Sequence, residues 1–258
     1  MKDLYKPLNE DIACIDSEKF LACCLRTRGN YYYRGQGDSS WDLIPSVFRD
    51  EQNKLIETGS RRKRLLYFDS EEFDQAFERL QHASNEAAAL DLADSGFAKL
   101  QKMVFFQHFG ISTPLLDWSQ GPLIALFMAY AFRPSSSSKI RIYRLDLATK
   151  PFDLQFQRYD RFNFERIRKQ VGGVSFVGTI NPACTDVSFY PHTILDLLED
   201  LDSTEFIKAL DVSIDADGEH MIREALDSNG FTFDSMFPNS PYWLGMSIKA
   251  TLPWANGN

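Results

Sequence analysis

The sequence lacks the features that mark secreted and membrane proteins. Its first 16 residues contain no apolar segment of the kind that forms the core of a signal peptide. The longest apolar run covers residues 122–132, and a helix that crosses a bilayer needs ~20 residues. We therefore expect a soluble, cytoplasmic protein with no membrane partner.

Cysteine is scarce and poorly spaced for chemistry. None of the four cysteines belongs to a Cys-x-x-Cys pair, and no histidine stands at metal-ligand spacing from them. We interpret them as reduced structural thiols and expect no metal, with a zinc site or a catalytic thiol as the alternatives. Gly-x-Gly-x-x-Gly and Walker phosphate loops are also absent, as are the Gly-x-Ser-x-Gly and His-Glu-x-x-His motifs of hydrolases.

Positive charge is also in short supply. Acidic residues outnumber lysine and arginine by 36 to 28, which gives a net charge of −8. General binding to a phosphate backbone needs a basic surface, so this balance argues against it. The basic cluster Arg166, Arg168 and Lys169 is the exception. It is either a solvent-exposed charged segment or a binding site for a diphosphate or a nucleic acid.

Hydrophobic residues that can form a protein core are abundant in the chain. Hydrophobic residues make up 44% of the 258 residues, and 21 residues are phenylalanine. Apolar spacing predicts helices over 17–28, 70–83, 86–107, 122–132, 218–228 and 242–252, and strands over 31–34, 112–117, 140–147, 174–179 and 205–214.

The order of these elements has no regular strand–helix–strand rhythm, which favours an α+β fold. We predict a single domain whose helix-rich N-terminal half packs on a small, mostly antiparallel sheet, with a split sheet as the variant. The helix over 122–132 is apolar on every side, so we expect it to be fully buried.

Four stretches combine aromatic, arginine, glycine and aspartate residues in a distinctive order: YYYRGQ at 31–36 with WDLIPSVFR at 41–49, QHFGISTPLLDWS at 107–119 with PLIALF at 122–127, RIRKQVGGVSF at 166–176, and GF at 230–231 with MFP at 236–238. This order resembles the FRG domain, a mainly bacterial family named after an aromatic-Arg-Gly triplet. The resemblance implies a single FRG domain over 1–258, with a core at about 31–250.

The FRG pattern is more distantly similar to ADP-ribosyltransferases, which hold NAD in a split sheet. The similarity places Arg34 at the Arg or His position of the first core strand and Thr113 on the next strand. Gln170 or Glu165 then stands at the late acidic position. The similarity implies that NAD is the cofactor. It also implies that the protein transfers ADP-ribose to a protein or nucleic acid, or hydrolyses NAD. FRG proteins usually occur together with components of bacterial conflict systems and prophages, and this context implies a toxin or phage-defence role.

Arg34, Asp117 and Gln170 are the predicted catalytic residues. An arginine among tyrosines needs a partner, because an unpaired buried charge costs several kcal/mol. That partner is Asp117 in a structural ion pair, or a ligand phosphate or amide held by the guanidinium fork. Asp117 is either an anchor at the start of the next helix or a pocket carboxylate that stabilises the cation formed as nicotinamide leaves.

The predicted ligand-binding residues flank these three in the motifs: Tyr33, Gly35, Gln36, His108, Thr113 and Trp118. Tyr33 and Trp118 either stack on a nicotinamide or adenine ring or belong to the core. His108 either contacts the ligand or stabilises a helix C-terminus. We predict that Arg34, Thr113 and Asp117 converge on one pocket. The alternative to an enzyme is a non-catalytic module that binds a nucleotide or a partner protein there.

Overall fold

The computed structural model describes residues 4–24, 31–83, 98–159, 171–181, 186–200 and 205–237. Its helices are α1 Ser17–Cys24, α2 Thr58–Tyr67, α3 Glu71–Ala83, α4 Ala98–His108, α5 Pro122–Ala131, α6 Ile194–Asp200, α7 Ala216–Ser228 and α8 Phe233–Met236, with a 3₁₀ turn at Ser46–Phe48. Its strands are β1 Lys6–Pro7, β2 Cys14–Asp16, β3 Tyr31–Gln36, β4 Leu116–Ser119, β5 Lys139–Asp146, β6 Leu154–Arg158, β7 Gly172–Ile180, β8 Val187–Phe189 and β9 Ile207–Ser213.

The strands form an open sheet in the order β1-β9-β5-β3-β4-β7-β6, with β2 added to β9 and β8 added to β7. Neighbours are antiparallel except for β2 and β9. Helices cover this sheet, so the predicted α+β fold with a mostly antiparallel sheet is confirmed. The domain limits of 1–258 stay a prediction.

The sheet is split between β3 and β4. The whole of β3 pairs with β5, from Tyr31 opposite Asp146 to Gln36 opposite Arg141. Within the described residues, β3 meets β4 only where Tyr33 faces Ser119. Beyond that pair the two strands diverge, which opens a gap beside the second half of β3.

Two glycines let α5 lie directly on β3. A Cβ atom on Gly35 would stand 1.8 Å from the carbonyl oxygen of Ala125, and one on Gly37 would stand 2.6 Å from that of Phe132. Any side chain at either position would push the helix away, since real Cβ atoms do not approach so closely. The glycine of the aromatic-Arg-Gly triplet therefore fixes α5 beside the split.

The prediction that residues 122–132 are fully buried is wrong. Ile124, Ala125, Leu126, Phe127 and Ala129 are buried, but Pro122, Leu123, Met128 and Tyr130 are half-buried. Ala131 is exposed, and Phe132 is 56% exposed. Phe132 is the residue at which α5 stops, so its ring leaves the core at the surface. No helix among the described residues is long and apolar enough to cross a membrane.

Gly110 ends α4 as its position predicts. Its φ angle is 80°, the Gly110 amide donates to the Gln107 carbonyl at 3.0 Å, and the Ile111 amide donates to Phe106, also at 3.0 Å. These are the two bonds of a Schellman motif, which closes a helix C-terminus through a left-handed glycine. The turn fixes Gln107 in the last turn of α4, next to the split.

The strand predicted over 112–117 lies further along the chain, at 116–119. Pro114 has no amide hydrogen for a strand ladder. The carbonyl of Thr113 instead accepts from the Val47 amide at 3.3 Å, so this segment is joined to the 3₁₀ turn rather than to the sheet.

Most other predicted elements are confirmed within two residues of their ends: 70–83 as α3, 140–147 as β5, 174–179 as β7, 205–214 as β9 and 218–228 as α7. Tyr31–Arg34 is likewise the start of β3. The predicted helix over 242–252 and the first part of the one over 86–107 lie outside the described residues, as do residues 25–28 of the first predicted helix.

Candidate functional site

A cavity of about 650 Å³ lies in the split between β3 and β4. This volume is within the ~300–1,000 Å³ of small-molecule sites. Its lining falls into two sets, a polar set formed by Arg34, Gln36, Arg49, Gln107, His108 and Asp117, and an aromatic rim formed by Trp41, Phe132, Phe233 and Phe237. The remaining lining is largely apolar, from α5 residues such as Ile124 and Met128.

Arg34 crosses the split rather than pairing with a carboxylate. Its Nη1 donates to the backbone carbonyl of Asp117 at 2.9 Å. Its Nε is buried and meets no acceptor among the described residues. Burial lowers the pKa of the Arg34 guanidinium, and the nearby charge of Asp117 offsets only part of that shift. The structural ion pair that was one of the two alternatives for Arg34 is therefore absent from the described part of the chain.

Arg49 is a second guanidinium at the same cavity. Its Nε and Nη2 both donate to the Ile44 carbonyl, at 2.9 and 2.6 Å. Burial lowers the pKa of Arg49 to about 10, and the positive charge of Arg34 adds to this effect. In the described ranges neither arginine forms an ion pair, so two like charges face one cavity.

The carboxylate of Asp117 is held from both sides. The Tyr159 hydroxyl donates to Oδ1, and the Gln107 amide donates to Oδ2. Burial raises the pKa of Tyr159 well above its ordinary value, and the charge of Asp117 raises it further. Tyr159 therefore stays protonated and keeps donating at any ordinary pH.

Thr113 supports this arrangement from behind. It is completely buried and does not line the cavity. Its hydroxyl donates to Oε1 of Gln107, which turns the Gln107 amide towards Asp117. Arg34 and Asp117 do meet at one cavity, as predicted, but Thr113 reaches it only through Gln107.

The other predicted ligand contacts differ in their access to the cavity. Tyr33 and Trp118 border the cavity, but each is only 2% exposed and packs in the core, where the Trp118 indole donates to Ser175 at 2.7 Å. Gln36 donates to the Asp42 carbonyl at 3.1 Å, while its buried Oε1 has no donor in the described part of the chain. His108 lies edge-on to Tyr159, with ring centres 5.9 Å apart.

Gln170 and the basic cluster around it fall outside the described residues. Among the described residues, no three His, Cys, Asp or Glu side chains are grouped so that they could hold a metal ion.

Residues 29–138 match the family model described as the FRG domain. The chain contains an FRG domain. The matched range carries both cavity arginines, Asp117 with Gln107, and Phe132. No curated protein and no solved structure matches the chain.

Residues that follow the matched FRG range complete the site. Tyr159, which holds Asp117, comes from the end of β6, and Phe233 with Phe237 comes from α8. The aromatic-Arg-Gly triplet alone thus predicts one cavity arginine and misses the other. Arg49 could have been found, because it is a charged residue directly after the apolar stretch 43–48 of the same motif.

Proposed function

We propose that the FRG domain binds NAD in this cavity and cleaves the bond between nicotinamide and ribose, passing ADP-ribose to a protein, a nucleic acid or water. The observation that carries the proposal is the arrangement of Arg34 and Arg49. Both line one cavity, and neither has a carboxylate partner in the described ranges. A guanidinium fork meets phosphate oxygens with two parallel bonds, so a diphosphate fits between such residues.

Two buried polar atoms support a nucleotide in particular. The Nε of Arg34 lacks an acceptor and the Oε1 of Gln36 lacks a donor among the described residues. An unsatisfied buried polar group costs about 1–3 kcal/mol, so a ligand that draws both side chains towards the cavity and satisfies them gains affinity. A dinucleotide offers phosphate oxygens for the first atom, and hydroxyl or carboxamide donors for the second.

NAD supplies a glycosidic bond whose heterolysis leaves positive charge on the ribose. Asp117 provides fixed negative charge at the cavity wall, and its two hydrogen bonds hold that charge in place. Preorganised charge of this kind stabilises a developing cation without rearrangement. Ile124 and Met128 line the same space with apolar surface, which limits the access of water.

A second candidate function, a binding module without catalysis, rests on the same carboxylate. Both oxygens of Asp117 already accept bonds from neutral donors. These bonds draw charge away from the cavity and reduce its effect on a ribose cation. In that case Arg34 and Arg49 still hold a nucleotide, but nothing in the cavity promotes its cleavage.

The experiment that tests the proposal is incubation of the protein with NAD and cell lysate, followed by mass spectrometry for free nicotinamide and ADP-ribosylated products. We expect release by the wild type and its loss in Asp117→Asn, with NAD binding retained. Asp227→Asn, on the exposed side of α7, is the matched control and should behave as the wild type.

The outcomes separate the candidates. Binding of NAD without any nicotinamide release supports the binding module. A wild-type protein that neither binds nor consumes NAD contradicts both forms of the proposal.

A further inference from the structure

Two large aromatic side chains stand exposed at the edge of the cavity. Phe132 and Phe233 are each 56% exposed, and both line the cavity. Both pack against Phe237, with ring centres 5.9 Å and 4.9 Å from its own. A single exposed phenylalanine needs no explanation, as at Phe152, but a cluster at a pocket entrance marks a binding surface.

The chain holds Phe233 in a fixed position. Gly230 closes α7 with a φ angle of 72°, and the Gly230 and Phe231 amides donate back to Asp227 and Leu226. Thr232 and Ser235 then form a capping box at the start of α8. Met236, in the same short helix, is buried in the core. The Phe233 ring is therefore presented to the cavity without a large entropic cost on binding.

Phe132 is fixed relative to the arginines by the backbone of β3. Gly37 packs directly on the Phe132 carbonyl, and Arg34 lies three residues earlier on the same stretch. At ~3.3 Å per strand residue this places the Phe132 end of the cavity about 10 Å from Arg34 along the strand. A nucleotide can span this distance between its phosphate and its base.

The cavity thus has cationic groups at one end and exposed aromatic rings at the other. A ligand that satisfies both must carry an anion and a flat apolar ring, joined by a short spacer. Tyr33 and Trp118 also border the cavity, but each is only 2% exposed and offers almost no ring surface for stacking.

We propose that Phe132 and Phe233 form a stacking site for the nucleobase of a bound nucleotide. This inference rests on the proposed nucleotide binding and adds the position of the base. Stacking on these rings gives affinity for any base, because every base has a π face. Discrimination between bases is not expected from the rings alone.

The test compares ADP with inorganic pyrophosphate, which shares the diphosphate but lacks base and ribose, by titration calorimetry. In Phe132→Ala and Phe233→Ala we expect ADP affinity to fall about ten-fold, the effect of one lost base–aromatic stack. Pyrophosphate affinity should stay unchanged in both. Phe233→Tyr keeps the ring and should restore ADP binding, and Phe152→Ala is the control for loss of an exposed phenylalanine elsewhere.

Unchanged ADP affinity in both alanine variants overturns the stacking site, and so does an equal loss of ADP and pyrophosphate. If the wild type still binds pyrophosphate in those cases, nucleotide binding by the arginines stands and only the position of the base is wrong. A wild type that binds neither compound overturns the proposed function and the stacking site together.

Discussion

Two arginines on neighbouring strands have opposite surroundings. Arg141 on β5 donates from Nε and Nη2 to the two carboxylate oxygens of Asp211, at 2.6 and 3.0 Å. Arg34 on β3 donates once, to a backbone carbonyl, and keeps a buried Nε without an acceptor in the described part of the chain. The first charge is neutralised inside the protein, whereas the second has no ion pair among the described residues.

The pKa values of Arg141 and Arg34 are shifted in opposite directions. Burial lowers the pKa of Arg141, but the hydrogen bonds and negative charges of Asp211 and Tyr143 together outweigh burial and raise the pKa above the ordinary value. For Arg34 burial prevails and the pKa is lowered. An arginine that is desolvated without a counter-ion destabilises the free protein, so an anion bound beside it stabilises both ligand and fold.

Asp211→Asn should have the largest effect, and it acts on stability. The change leaves Arg141 partly buried without a counter-charge, which costs about 3 kcal/mol. For a chain of this size ~1 kcal/mol shifts Tm by roughly 2–4 °C, so we expect a fall near 10 °C in thermal melting. Arg34→Met is the comparison, since it removes a charge that forms no ion pair among the described residues. An equal fall in Arg34→Met would mean that both arginines are structural.

Arg34→Lys comes next, and we expect it to act on binding. Lysine keeps the charge but loses the planar fork, and a lost charge-assisted hydrogen bond costs about 2 kcal/mol, or roughly 30-fold in Kd for NAD. Calorimetry measures this loss, and melting should shift by only a few degrees. Arg141→Lys should show the reverse pattern. If Arg34→Lys binds NAD normally and merely melts earlier, Arg34 is scaffolding.

If the cavity binds NAD as proposed, Arg49 should make the affinity depend on pH. Its pKa of about 10 lies below that of an ordinary arginine. The protonated form holds the anion, so affinity should stay level at neutral pH and decrease as pH rises through about 10. Arg49→Gln should bind more weakly at neutral pH and show a smaller decrease. The same decrease in Arg49→Gln would assign the effect to another group.

The smallest effect is expected from two buried threonines. Thr113→Val removes the bond that orients Gln107 towards Asp117. We expect the activation free energy of NAD cleavage to rise by about 1 kcal/mol, which lowers the rate roughly five-fold and leaves NAD affinity unchanged. Thr193→Val removes a comparable bond to Asp196, the partner of Arg61. It should lower Tm and leave the cleavage rate alone. Equal effects of the two variants on the rate would contradict a special role for Thr113.

Part of this arrangement can be predicted from the sequence. Arg34 and Asp117 were identified because each lies in a stretch that resembles the FRG pattern, and because a buried arginine requires a partner. The strand at 112–117 was misplaced, since the hydrogen bond of Thr113 to Val47 connects segments that are far apart in sequence.

Contacts between distant segments also explain why the sequence did not reveal the site residues that lie outside its motifs. Phe233 reaches the cavity from α8, and Tyr159 reaches Asp117 from the end of β6, and no local pattern shows that these elements pack beside β3. Tyr33 and Trp118 were predicted to touch the ligand because aromatic residues beside Arg34 and Asp117 fit a stacking role. Strand alternation and the close packing of α5 decide their burial instead.

The most direct test of the central claim follows the arginine Nε–H groups by ¹⁵N NMR during titration with NAD, with signals assigned from the Arg→Lys variants. The Nε of Arg34 has no acceptor among the described residues, so its signal should shift as NAD fills the cavity. The signal of Arg141, already bonded to Asp211, should not move. An unmoved Arg34 signal at saturating NAD, or equal shifts at Arg34 and Arg141, would contradict the claim that Arg34 is held for a ligand.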